Sequence, residues 1–453
     1  MLVATAAGYK TDAVAQDFYG LDKQGRDNFG PGIAYSELDS ALLVYQESGG
    51  RVQAIEPSAD LTVHGALGQQ LTLSGVADAV SGATPNGAVP SDRIQTFVTP
   101  LRAQGSTATV TSASGGSTVI QLPPTPGQLA TAALGRQYTI APNTLPVDKG
   151  FHDNRAAVSG GWSQPVGTIS EVGANLGYSL EHDYQSITAG ARVAQNFNSD
   201  NTTVSLDLNG EFDSSFPFGG IPTPLSVMSA QFKPVTTRHK TQAGFVLGLT
   251  QVMTRGWISS LNYAFDSQTG YETDPYRVIS LVDPTSGEPV SSLYESRPET
   301  RQTQSIFWDN KFTFGPTLTE FSVRYFRDSW DISSETVEGS ERLNLGHSWY
   351  IEPNGRFYHQ TAANFFYPYL VNGTTLPTYA SSDSRLSRFD AITYGVKVGF
   401  RLSGRTEFYL RGDYYTQMGE KHPANAIGQL RFQNLFQGAN ASILEAGLQW
   451  KFH

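Results

Sequence analysis

The side chains in this chain best placed to do chemistry are charges at alternate positions, a spacing that puts them on one face of a β-strand. Asp207, Glu211 and Asp213 share a parity in one stretch, and Asp266 and Asp309 share it in later ones. Arg324, Arg342, Arg356, Lys397, Arg401 and Arg411 follow, interspersed with Glu320, Glu338, Glu352, Glu407 and Asp413. Apolar residues fill the positions between. Ile392, Tyr394, Val396, Val398, Phe400 and Leu402, for example, alternate with Thr393, Gly395, Lys397, Gly399 and Arg401. Two readings of the charges stay open. Opposed arcs of unlike sign would order water and select polar solutes by charge and size. Alternatively, cross-strand pairs such as Glu352 with Arg342 and Glu407 with Arg401 would knit a wall together.

Catalytic and metal chemistry have less to rest on. The eight His, among them His152, His182, His239, His359 and His422, are scattered over loops and loop-proximal ends, without zinc-site spacing or a nucleophile elbow. The Glu181-His182-Asp183 turn sets two carboxylates around an imidazole, but a solvated turn explains it more simply. The expectation is therefore no catalytic residue, no metal and no cofactor. With no Cys, the chain has no disulfides, thiolate metal sites or covalently attached haem. A formal charge of -10 and the lack of a basic patch argue against nucleic acid as a partner.

What positions these charges is a series of alternating segments. The chain of 453 residues has no apolar run near the ~20 residues a membrane helix needs. Its mean hydropathy of -0.29 is what a barrel shows when lipid-facing and interior residues alternate. Sixteen strands are predicted: Ser40–Glu47, Arg51–Val63, Gln70–Ala79, Asn154–Ser163, Ser170–Leu180, Gln185–Asn196, Thr202–Asp213, Thr241–Val252, Trp257–Asp266, Thr303–Phe314, Thr317–Asp328, Thr336–Leu345, Trp349–Gln360, Phe389–Leu402, Glu407–Gln417 and Ser442–Phe452. Connections such as Gly315-Pro316 and Gly346-His347 are short, and those beginning near Gly82, Ser214, Ser267, Thr361 and Met418 are long. That asymmetry predicts a transmembrane antiparallel β-barrel with short periplasmic turns and long extracellular loops. Lys and Arg on its lipid face would cost ~2–4 kcal/mol each at mid-membrane, so the charged parity must face inward.

The last strand carries the strongest single pattern. Leu444, Ala446, Leu448, Trp450 and Phe452 share one face, and Glu445, Gly447, Trp450 and Phe452 form an assembly signal resembling the one by which barrel assembly machinery recognises outer-membrane proteins. It departs from the commonest form in placing His453 after the terminal aromatic. Trp162, Trp257, Trp349 and Trp450 lie near short-turn ends, as a periplasmic aromatic girdle would. Residues 1–36 read as a periplasmic or lumenal tail before a barrel at 37–453. Met1–Ala7 is either an expression remnant or the end of an export signal. The insertion at 82–150 holds a Thr-Pro-Asn-Gly turn and a hairpin-like stretch, Thr107–Gln121. It is long enough to fold inward as a gate or to stand exposed.

Three stretches resemble a bacterial outer-membrane family known only as a domain of unknown function. They are Tyr45, Glu47 and Gly50 to Pro57, then Ser81 to Ala88 (SGATPNGA), then Gly161 to Pro165. The resemblance implies an exported barrel but no substrate. It also implies a redox or metal context, since such members are encoded beside small lipoproteins and extracytoplasmic redox proteins. The expectation is a porin-like channel in the outer membrane of a Gram-negative bacterium, surrounded by outer-membrane lipids and passing small polar solutes. The other reading is a plugged barrel that scaffolds partner proteins, such as a periplasmic lipoprotein. Replacing Trp450 and Phe452 by Ala should lower the folded protein recovered in outer membranes, because the strand loses its interfacial anchors. Unchanged yield would mean that Leu444 and Leu448 suffice.

Overall fold

The computed structural model describes residues 33–99, 107–111, 117–121, 136–229, 231 and 233–452. Sixteen antiparallel strands close into one barrel. They are β1 (Ile33–Glu47), β2 (Gln53–Gly65), β3 (Gln70–Pro85), β4 (Val147–Val166), β5 (Ser170–Leu180), β6 (Tyr184–Phe197), β7 (Thr202–Ser215), β8 (Arg238–Thr254), β9 (Trp257–Gly270), β10 (Thr300–Phe314), β11 (Thr317–Asp328), β12 (Ser333–Leu345), β13 (Trp349–Gln360), β14 (Phe389–Ser403), β15 (Thr406–Gly419) and β16 (Asn440–Phe452). Each predicted segment lies in one of them, apart from Arg51 and Val52, which precede β2. β3 and β4 reach six and seven residues further outward than the alternation alone indicates. The barrel starts at Ile33, inside the stretch expected to be a tail, because β1 must run alongside β16 from Ser36 opposite Phe452 to Glu47 opposite Ala441. Residues 1–32, including the expected leader remnant, lie outside the described residues.

Register turns one parity to the outer face of the barrel. Leu73 pairs with Gly160 between Val158 and Trp162, and Val158, Leu176 and Leu208 are exposed on the outer wall. Trp162, Trp349 and Trp450 stand exposed on that face near the short turns. Trp257 shares their outward parity but its indole N–H donates to Asn310 Oδ1 at 3.0 Å. Asn310 is an outward-parity amide that is almost fully buried, and in a medium without water its carbonyl needs such a donor. Glu335 and Glu341 of β12 also take outward parity, as neighbours of the exposed Val337.

The last four strands share an interior motif that ties the terminal pattern to packing. Tyr350 lies opposite Gly399, Gly399 opposite Tyr409, and Tyr409 opposite Gly447. A Cβ on Gly447 would sit 2.3 Å from the Tyr409 ring, and one on Gly399 would sit 2.1 Å from the Tyr350 ring. The tyrosine hydroxyls donate to Glu445 at 2.5 Å and to Glu407 at 2.6 Å. Gly447 and Glu445 are thus the seat and the anchor for Tyr409, a use of glycine that leaves room for a cross-strand aromatic. Gly447→Ala should destabilise the barrel by about 1–3 kcal/mol through overpacking. In a Tyr409→Ala background the same substitution should be nearly neutral, and additive urea-unfolding effects would refute the contact.

Candidate functional site

All the charges singled out above sit on inward register, but they are not two opposed arcs. On the acidic side, Arg192 Nη1 of β6 donates to both oxygens of Asp207, at 2.8 and 2.9 Å. Lys240 Nζ of β8 lies 3.2 Å from Asp213. Glu211 accepts from Ser186 at 2.9 Å, and Asp266 accepts from Asn209 at 3.0 Å. Asp309 lies between Ser260 and Ser322 in register. On the cationic side, Arg342 pairs with Glu352 at 2.6 Å, Arg401 with Glu407 at 3.1 Å and Arg411 with Asp413 at 2.7 Å. Lys397 stands 4.0 Å from the Tyr409 ring centroid and Arg356 5.9 Å from that of Tyr358. Arg324 lies between Phe307 and Thr336 in register and is exposed. The countercharges beside Asp207, Asp213, Arg342, Arg401 and Arg411 weaken the transverse field expected from the two arcs.

An arc that the sequence reading passed over holds more acids than bases. β16, β1, β2 and β3 turn Glu445, Glu37, Asp39, Glu56, Asp60 and Asp78 inward, against Lys451 as their one inward Lys or Arg among the described residues. Lys451 pairs with Glu37 at 2.5 Å, and Arg155 of β4 bonds Asp78. Asp39 and Asp60 are direct cross-strand neighbours. The signal was available as parity: acids recur two or four apart in Glu37, Asp39 and in Glu56, Asp60.

Above the wall, loops from all round the barrel share a buried core. Ala88 and Phe97 of the β3–β4 loop pack with Val278 and Tyr294 of the β9–β10 loop. Val89 and Val282 pack with Ala426 and Leu430 of the β15–β16 loop. Val278–Val282 runs antiparallel to Pro289–Tyr294 and parallel to Leu370–Val371 of the β13–β14 loop. Loops rooted on far sides of a closed wall can share a core only by crossing its mouth, so they form a cap. Phe436 reaches inside to pack on Phe389 and Ala391, both of inward parity. The stretch around Gly87 is a buried strap within this cap. Val278 N donates to Asn86 O at 2.9 Å and Ser382 Oγ to Gly87 O at 2.7 Å. Gly87 has φ +100° and a Cβ there would fall 2.2 Å from Val278 O, which only glycine tolerates. The described part of the insertion, for which an inward gate or an exposed loop was expected, thus shares a buried core with the other long loops, and residues 100–106, 112–116 and 122–135 lie outside the described residues. Thr107–Thr111 and Ser117–Gln121 do pair as a hairpin.

The cap is tied by a buried ionic knot. Asp383 accepts from Arg385 Nε at 3.0 and 2.9 Å and from Arg297 Nη2 at 3.0 Å, and lies 3.2 Å from Arg277 Nε. Glu295 lies 2.7 Å from Arg297 Nε and accepts from Ser381 Oγ at 2.5 Å and from Asp274 N at 2.8 Å. Burial opposes ionisation of Asp383, but Arg277, Arg385 and Arg297 hold its carboxyl well below the ordinary value. Burial pushes the Glu295 carboxyl up against the pull of Arg297, with Asp274 and Asp383 adding to the rise.

The remaining candidates are dispersed. Asp153 joins Glu181 and Asp183 with carboxylate oxygens within 4.8 Å of one another, His182 is not in the group, and Tyr276 donates to Asp183. His239 Nδ1 is 2.9 Å from Ser214 Oγ, but among the described residues no carboxylate bonds to its ring as a hydrolytic triad requires. His359 Nδ1 lies 2.6 Å from Asp390 on the outer face. His152 is exposed on the outward parity of β4, and His422 is exposed in the β15–β16 loop.

The family model described as "Protein of unknown function (DUF3570)" matches residues 24–450. The chain belongs to the DUF3570 family. No curated protein matches it. Among solved structures, this DUF3570 chain is similar to OccK2 (OpdF) of Pseudomonas aeruginosa, in complex with glucuronate, at 10% identity and a TM-score of 0.37, covering 92% of this chain and 98% of that one. A bacterial polysaccharide outer membrane secretin gives 7%, 0.44, 92% and 98% in the same order. The siderophore receptor PirA of Pseudomonas aeruginosa gives 10%, 0.38, 91% and 62%, so the chain spans about three fifths of that receptor's length. Within DUF3570 the barrel assignment rests on this chain's own strand pairing.

The two acids of the knot have opposite shifts that act alike on mild acidification. A depressed Asp383 keeps its stabilising contribution until the pH falls through its lowered value, well below the ordinary carboxylate value of about 4. A raised Glu295 takes up its proton more readily folded than unfolded, so acidification favours the closed form there. Hydrogen-exchange protection of 277–282 and 293–297 should therefore persist from about pH 7 to about pH 5. Its loss within that window would contradict the assignment.

Proposed function

We propose that this DUF3570 barrel is a gated channel in the outer membrane of a Gram-negative bacterium, passing small polar solutes and favouring cationic ones. The observation that carries this reading is the inward acidic arc of β16 to β3 beneath a cap that crosses the mouth. Paired charges elsewhere on the wall present little net field, so the arc dominates the potential met by a solute. The cap makes the pathway narrower than an open pore and gives it a closed state.

A second reading has its own observation. Phe432 and Ile94 stand 84% and 70% exposed on the cap, as contacts for an extracellular partner would, which suits a scaffold for proteins on that side. Planar-bilayer recording separates the two. A channel should conduct, with a reversal potential in a KCl gradient that reports cation preference. Glu56→Gln with Asp60→Asn should move that potential toward zero, and added salt should shrink the difference as screening shortens the field. Anion preference in the parent would overturn the selectivity, and absence of conductance would favour the scaffold.

A further inference from the structure

The ionic knot asks for an explanation beyond stability. Burying ion pairs carries a desolvation penalty, and well-packed apolar residues in their place are often as stable or more so. The knot gathers three arginines and three carboxylates at the meeting of separate loops. Asp274, Arg277, Glu295 and Arg297 belong to the β9–β10 loop, and Asp383 and Arg385 to the β13–β14 loop. Arg277 Nη1 also donates to Pro85 O at the start of the strap, at 3.3 Å. Each loop brings equal numbers of acids and bases. When the loops part, each side keeps a self-neutral set that water can solvate, with Arg385 still held bidentately by Asp383 two residues away. The same two loops also share the apolar cluster of Ile279, Leu293, Leu370 and Ala380 and the pairing of Leu281 with Leu370, so the knot is the part of the joint that water can solvate on opening. Charged contacts of this kind suit a joint that is made and broken repeatedly.

We propose that this knot is the latch of the extracellular gate: the cap opens when the β13–β14 loop parts from the β9–β10 loop at Asp383. The proposal rests on the gated-channel reading, and the test keeps the two apart. Asp383→Asn should raise the open fraction in planar bilayers at least about tenfold, as loss of one partner in a buried ion pair implies. It should also make the cap loops sensitive to proteinase K in the intact, detergent-solubilised chain. Heat-modifiable gel migration will report that the barrel itself is folded.

A disulfide control separates unlatching from misfolding. Ser296 and Ala380 exchange both backbone hydrogen bonds across the same two loops, each at 2.9 Å. That geometry places their Cα atoms about 5.5 Å apart, within disulfide reach, in a chain that has no other Cys. Ser296→Cys with Ala380→Cys, oxidised in the Asp383→Asn background, should restore low conductance and protease resistance, and reductant should reverse both. Parent-like conductance and parent-like protease resistance in Asp383→Asn would overturn the latch. Protease sensitivity that the disulfide reverses, without conductance in any variant, would support the latch and overturn the channel.

Discussion

Every backbone N–H and C=O in a bilayer must be bonded within the protein, because lipid offers no partner. A sheet meets that demand only by losing its edges, and here the edge disappears where β1 pairs with β16 from Ser36 opposite Phe452 to Glu47 opposite Ala441. Everything else depends on this closure. It makes each strand two-faced, turns one parity to lipid and the other to the interior, and leaves the connections as the only backbone free of the sheet. The exceptions on the outer face obey the same rule. Asn310 is buried against Trp257, whose indole supplies the bond that water would otherwise provide.

Closure also decides how the inner wall handles charge. Inward side chains opposite one another on paired strands are neighbours, so a carboxylate on one strand finds a guanidinium on the next. Arg192 meets Asp207, Arg342 meets Glu352, and Arg401 meets both Glu407 and the Tyr350 ring, 5.2 Å from its centroid. Such pairs hold long side chains against the wall and weaken the field across the interior. Where acids outnumber bases, as on β16 to β3, the wall is more acidic than elsewhere. The tyrosines laid on Gly399 and Gly447 serve the same wall, filling the low points of the sheet and directing their hydroxyls onto Glu407 and Glu445.

The long connections form a second structural unit with different physics. Short turns on one side are set by the register of the strands they join. Loops on the other side are long enough to reach across the mouth and bury apolar residues against one another, which is why Ala88, Val282 and Leu430 are as inaccessible as the core of a soluble domain. The cost of this arrangement concentrates at the six-charge knot, where desolvation is offset by bidentate and multiple hydrogen bonds around Asp383. Barrel and cap therefore hold together by different means, one by backbone pairing and one by side-chain packing.

Period-2 alternation determined the fold by itself. Strand number, the lipid-facing parity of Leu444, Leu448 and Trp450, and the inward parity of Arg342, Lys397 and Asp207 all follow from a pattern local to each segment, because a strand's two faces are set by its own residues. Turn lengths separated the short-turn end of the barrel from the long-loop end for the same local reason. Pair identity was legible only in part: Arg342 with Glu352 lies across one short turn, whereas Lys240 meets Asp213 over a long loop whose length hides the register. The cap and its knot were not legible at all. Arg277, Glu295, Asp383 and Gly87 come from loops with no period, and what they do depends on where distant segments land once the barrel has closed. A local pattern encodes a strand's faces, but contacts between irregular loops rooted on opposite walls exist only after the tertiary structure has brought their roots to fixed places around one mouth.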